Sequence, residues 1–135
     1  SGDEINNIIF EQNYGWPIAS YGESYFDEGL RYKKDHASYS FKEPVFSFLP
    51  AIGISEIIKI PDNFTPFWKN NFILSSLNGS SLYRIKFNKN LDRIILYEKI
   101  YIGERIRDLK YSKKFKTIFL ALESEGNLGI LNLKD

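Results

Sequence analysis

Phe72-Ile73-Leu74-Ser75-Ser76-Leu77-Asn78-Gly79-Ser80-Ser81-Leu82-Tyr83-Arg84-Ile85-Lys86-Phe87 reads as two strands folded about a turn. Residues 72–77 form an apolar run that stops at Asn78-Gly79, a dipeptide that tolerates the left-handed backbone of tight hairpin turns. From residue 82 the pattern alternates. Tyr83, Ile85 and Phe87 fall on one face, with Arg84 and Lys86 on the other.

The same period continues in both directions. Short strands are expected over residues 45–49, 54–60, 93–102, 105–111, 117–122 and 128–133. Between them lie a Pro50-Ala51-Ile52-Gly53 corner, a turn at 88–90, a basic turn at Lys113-Lys114 and a break at Gly126. Residues 61–69 carry two prolines and Trp68, and read as a connection that tucks aromatic rings under the fold. With β-branched and aromatic residues enriched and no helical period, the pattern predicts an all-β antiparallel fold. Sandwich, barrel and propeller all satisfy it. Residues 71–102 and 105–133 each offer about three similarly spaced strands, as propeller blades would.

The first third is less regular. Ile5-Asn6-Asn7-Ile8-Ile9-Phe10, after two acids, reads as a short strand. Asn13-Tyr14-Gly15-Trp16-Pro17 reads as an architectural turn, with Trp16 packed under a long loop. That loop is expected over residues 20–43, which are polar and aromatic without a period and lie at the surface.

Composition limits the functional classes. The chain has 135 residues, 43% hydrophobic and 16% aromatic, so it can build a packed core. Eighteen basic against 17 acidic residues give no electrostatic case for nucleic acid or an anionic membrane surface. No apolar run is long enough to span a bilayer. Without cysteine there is neither a disulfide nor a thiolate metal site. Methionine is absent even at position 1, so the chain is expected to be part of a longer protein.

Chemistry concentrates at Gly103-Glu104-Arg105-Ile106-Arg107-Asp108-Leu109. On a strand, Arg105 and Arg107 project from one face, roughly 7 Å apart, while Ile106 points into the core. Two guanidiniums so placed suit an anionic or carbonyl-rich ligand. The alternative is a solvated face, with the arginines paired to Glu104 and Asp108. His36, the only histidine, sits in the polar loop and reads as solvated, and Lys33-Lys34 and Lys113-Lys114 read as solubilising surface. Tyr21, Tyr25 and Phe26 could stack on a sugar or cover a core edge.

Four motifs occur in order: Gly2-Asp3-Glu4-Ile5-Asn6, Asn13-Tyr14-Gly15-Trp16-Pro17, Ser20-Tyr21-Gly22 and the Gly103 to Leu109 stretch. Together they resemble the glucose/sorbosone dehydrogenase family, the soluble pyrroloquinoline quinone (PQQ) dependent aldose sugar dehydrogenases. Pro44-Val45-Phe46, Pro50-Ala51 and Phe67-Trp68-Lys69-Asn70-Asn71-Phe72 are similar to it as well. The resemblance implies the C-terminal part of a six-bladed β-propeller. About two blades would come after a motif strand and long loop at 1–43, with blade-like strands at 44–102 and 103–135.

It further implies oxidation of an aldose at its anomeric carbon, PQQ and calcium as cofactors, and a periplasmic or secreted location. Arg105 and Arg107 match the arginine pair beside the quinone, where they would hold its carboxylates. Glu4 and the backbone carbonyl of Tyr14 match a structural calcium site. The catalytic histidine and the loop that holds the cofactor's calcium would lie upstream, so no catalytic residue is assigned in this chain and the fragment alone is expected to be inactive. Asn78 replaces a lysine that touches the quinone in family members, and Ala51 stands where a hydroxyl donor can occur. These departures favour the alternative, a non-catalytic propeller-type module that binds carbohydrate or a protein partner. Exposed blade edges would promote homo-oligomers.

Overall fold

A computed structural model describes residues 2–24 and 31–133. Its elements are β1 (Asp3–Ile5), a 3-10 turn (Ala37–Tyr39), β2 (Phe46–Phe48), β3 (Ile54–Lys59), a second 3-10 turn (Pro66–Trp68), β4 (Phe72–Ser76), β5 (Ser81–Phe87), β6 (Ile94–Tyr101), β7 (Ile106–Ser112), β8 (Thr117–Leu122) and β9 (Leu128–Leu131). No α-helix occurs among the described residues, as the alternation predicts. The chain divides into two compact units, residues 1–52 with 88–94, and residues 53–87 with 95–135.

In the first unit, β1 pairs antiparallel with β2, Asp3 opposite Phe48 and Ile5 opposite Phe46. The strand expected over residues 5–10 is therefore displaced to Asp3–Ile5. Tyr14 explains why it stops. Its hydroxyl donates to the Asn7 carbonyl at 2.6 Å and accepts from the Ile9 amide at 2.8 Å, drawing backbone groups that a longer ladder would use. Ile8 and Phe10 are left at the surface, 75% and 86% exposed.

The Asn13 to Pro17 turn is architectural, as expected. Asn13 Oδ1 accepts from the Gly15 amide at 2.8 Å, and the Gly15 carbonyl accepts from Ile18 and Ala19. Gly15 is required there twice over. Its φ is +95°, and an added Cβ would stand 2.9 Å from Ala19 Cβ. Trp16 does not pack under the loop. It is largely exposed, with its ring tilted against Tyr32 at 5.2 Å. The polar stretch beyond it is partly ordered by a parallel bridge of Ala19 with Lys33, in which Ser20 donates to the Lys33 carbonyl and Lys33 to the Ile18 carbonyl, and by the turn after His36.

The second unit holds a four-stranded sheet, ordered β3-β4-β5-β6, and a three-stranded sheet, ordered β7-β8-β9. β4 and β5 form the hairpin announced by Asn78-Gly79, Phe72 opposite Ile85 and Ser75 opposite Leu82. Gly79 is needed for contact reasons, because a Cβ would lie 2.6 Å from both Ser76 Oγ and Tyr83 Oη. The core gathers Ile60, Phe64, Ile73, Leu82, Ile106, Leu109, Ile118 and Leu120. Each fully buried aliphatic side chain contributes roughly 1.5–3 kcal/mol of transfer free energy. Trp68 packs at the edge of this cluster, whereas Phe67 is exposed.

Alternation along β5 holds, but the face expected to be polar is not solvated. Leu82 shares it with Arg84 and joins the core. Arg84 is accommodated there because its guanidinium lies 5.0 Å from the centre of the Trp68 ring and its Nε is 2.7 Å from Glu98 Oε2.

Candidate functional site

Gly103 opens the site. At φ +91° it turns the chain between β6 and β7, and its amide and that of Ile102 both donate to the Ser80 carbonyl. Ile106 then anchors β7 in the core at 0% exposure. Its register partner is Leu122, but the next pair is Asp108 with Ala121, so Arg107 is the extra residue of a β-bulge. A bulge re-aims side chains at the point where pairing slips. A matching slip in β3 between Ile54 and Glu56 frees Ser55, whose Oγ donates to the Ile106 carbonyl at 2.5 Å and lies 2.8 Å from Ser75 Oγ.

The outcome is a pair of guanidiniums on one carboxylate. Arg105 Nε donates to Glu123 Oε2 at 2.7 Å, and Arg107 Nη2 donates to Glu123 Oε1 at 2.9 Å. Arg105 Nη1 also donates to Asn78 Oδ1 at 2.9 Å. Arg105 and Arg107 remain 41% and 55% exposed, so the cluster is open to solvent. Hydrogen bonds from Arg105 and then Arg107 hold the Glu123 carboxyl below the usual carboxylate range.

The two arginines reach one carboxylate, as side chains of a shared face would, and the ion pairs of the alternative reading, with Glu104 and Asp108, are replaced by Glu123. Asp108 Oδ1 accepts from the Leu109 amide, and Glu104 Oε2 is buried without a hydrogen-bond partner among the described residues. Glu123 carries no signal in the sequence because it lies in a polar turn 18 residues beyond Arg105. Only the β7–β8 register brings it back.

Glu4 and Tyr14 are placed in the first unit. Glu4 Oε1 lies 3.5 Å from the Tyr21 amide, a contact at the long limit, and the Tyr14 hydroxyl is committed to Asn7 and Ile9. Among the described residues no group of three or more histidines and acids gathers, so any cation at Glu4 would need main-chain or water oxygens to complete its shell.

His36 overturns its expectation. The imidazole is fully buried, stacked on Tyr21 at 5.0 Å, with Nδ1 3.6 Å from Glu43 Oε2 and neither nitrogen hydrogen-bonded among the described residues. Gly15 lies close against the ring, since a Cβ there would sit 3.1 Å from His36 Cδ2. Tyr21 is thus occupied by His36 and donates its hydroxyl to Glu43, which raises its pKa. Tyr25 and Phe26 lie outside the described residues.

A separate open groove of about 410 Å³ is lined by Glu56, Ile58, Asp108, Leu109, Lys110 and Tyr111.

The sequence pattern of the Glucose / Sorbosone dehydrogenase family matches residues 1–130. The chain belongs to the glucose/sorbosone dehydrogenase family. It is 27% identical over 129 residues to the aldose sugar dehydrogenase YliI of Escherichia coli (strain K12), covering 94% of this chain and 34% of that protein. An uncharacterized Synechocystis protein, slr1608, is 26% identical over 94% of this chain and 30% of its own length. The chain thus spans about a third of the length of these relatives.

Solved structures agree on the fold. A crystal structure of glucose dehydrogenase superposes with a TM-score of 0.83 at 22% identity, over 99% of this chain and 39% of that one. The soluble aldose sugar dehydrogenase from Escherichia coli, in its apo form, gives 0.80 at 21% identity, over 98% and 38%. This family member therefore carries the fold of a portion of a propeller. No helix among the described residues is long and apolar enough to cross a membrane.

Proposed function

We propose that this chain is the C-terminal portion of a PQQ-dependent sugar dehydrogenase-like protein, and that Arg105 and Arg107 are its contribution to the quinone cradle. One observation supports this reading above the others: both guanidiniums bind a single carboxylate at 2.7 and 2.9 Å. The arrangement fits a ligand that presents carboxylates, since Glu123 reproduces that contact within the chain. PQQ, when bound, supplies a two-electron acceptor for oxidation of an aldose at its anomeric carbon. This chain's share is to hold and orient carboxylates and to place positive charge beside them. Family membership and a relative named as an aldose sugar dehydrogenase support the substrate class.

The calcium assignment to Glu4 and the Tyr14 carbonyl, and the periplasmic or secreted setting, belong to the same reading and rest on the resemblance. The chain alone should bind without turning over, because its one histidine is buried against Tyr21 and offers no general base. Titration with PQQ in the presence of calcium tests the proposal. Binding should occur and be lost in Arg105→Ala and Arg107→Ala. Equal affinity in the arginine variants would overturn it.

The groove beside Tyr111, with Glu56 and Asp108 as hydrogen-bonding groups, favours a second reading as a non-catalytic carbohydrate-binding module. That reading requires saccharide binding with neither PQQ nor calcium present. Self-association belongs to either reading. β9 ends its sheet with Leu128 and Ile130 65% and 60% exposed, so pairing of copies along such edges should appear as dimers or larger species by light scattering at micromolar concentration. A monodisperse monomer would exclude it.

A further inference from the structure

We infer that Glu123 is a built-in competitor at the arginine pair, so that a polycarboxylate ligand gains its full grip on Arg105 and Arg107 only by displacing the Glu123 side chain. The inference rests on the reading of the pair as a carboxylate-binding site. It goes further by naming the group that sets the site's affinity.

The geometry carries it. A guanidinium offers a carboxylate two fork-shaped edges, one made by Nε with Nη2 and the other by the two Nη groups. In Arg105 the first edge has its Nε taken by Glu123 Oε2, and the second has its Nη1 taken by Asn78 Oδ1. No two-pronged contact to Arg105 can form without releasing one of them. Arg107 is tied to the other oxygen of the same carboxylate, so release of Glu123 frees both arginines at once.

Charge acts in the same direction. Two guanidiniums and one carboxylate sum to a single positive charge, and the carboxylate lies where an incoming anion would be drawn. Glu123 cannot leave the site as a whole, because its amide donates to the Arg105 carbonyl at 2.9 Å. Its side chain is 34% exposed, however, and has solvent to swing into. The competitor is therefore tethered by its backbone and mobile only at its carboxylate.

The test compares Glu123→Gln, which keeps the shape and removes the charge, with Glu123→Asp, which keeps the charge. Binding of PQQ is measured by calorimetry on the full chain, with citrate as a second carboxylate probe. Glu123→Gln should bind both more tightly, by roughly three- to tenfold at low ionic strength, with the advantage shrinking at high salt as screening removes the charge term. Glu123→Asp should stay within about twofold of the parent chain, as the retained charge requires. Equal or weaker binding by Glu123→Gln would overturn the inference, as would an equal gain in Glu123→Asp. If no form binds, or if Arg105→Ala binds as well as the parent, the carboxylate-site reading fails and takes the inference with it. If the arginine variants lose binding while Glu123→Gln gains none, only the role of Glu123 falls.

Discussion

Arg105 and Glu123 are joined twice, once through side chains at 2.7 Å and once through the Glu123 amide and Arg105 carbonyl at 2.9 Å. The backbone bond closes the end of the β7–β8 ladder and brings the two side chains within reach. The side-chain bond then fixes the direction of one guanidinium.

The depressed Glu123 pKa gives a direct check. Carboxyl carbon shifts measured by NMR should place its titration below the roughly 4.3 of a free glutamate, and Arg105→Ala should move it back up. The ionised tie is fully present above the unfolded-state pKa and is lost as pH falls through the lower folded value. Because the group is part-exposed at the surface, its protonation should open the arginine pair without unfolding the chain.

Ile106 carries the arginines on its two sides and is itself completely buried. Ile106→Ala should destabilise the chain by about 2–5 kcal/mol in urea titrations, the range for a large aliphatic truncated in a packed core. A cost under about 1 kcal/mol would mean that the site is not anchored through this residue.

Gly15→Ala should be costly although the residue lies in a loop. Left-handed backbone and a Cβ placed 2.9 Å from Ala19 act together, for an expected loss of about 1–3 kcal/mol, read from the thermal midpoint.

His36→Phe should leave stability unchanged or raise it. Phenylalanine preserves the stack on Tyr21 and removes two ring nitrogens that make no hydrogen bonds among the described residues. A fall of several degrees in the thermal midpoint would show that the imidazole is paired.

Most strands are legible in the sequence because a two-residue period survives wherever one face is buried. β8 falls on the expected residues 117–122, and β3 and β6 each end within a residue or so of expectation. At the N-terminus the pattern misleads because Ile8, Ile9 and Phe10 look like a strand by composition, yet the Tyr14 hydroxyl takes the backbone groups around them. His36 departs from expectation for a related reason. A single histidine in a polar stretch carries no periodic signal, and its burial depends on Gly15 and Tyr21, which are distant in sequence.

Residue type and local spacing thus determined the all-β pattern, the β4–β5 hairpin and the placement of Arg105 and Arg107 beside each other. The group that the arginines hold was decided only in three dimensions. The bulge at Arg107, the Ser55 hydroxyl on the Ile106 carbonyl and the carboxylate of Glu123 come together through pairing of strands separated by turns. The physical reason is that strand register is a cooperative property of the buried faces. No residue in the Glu123 turn reveals by itself which arginines it will meet.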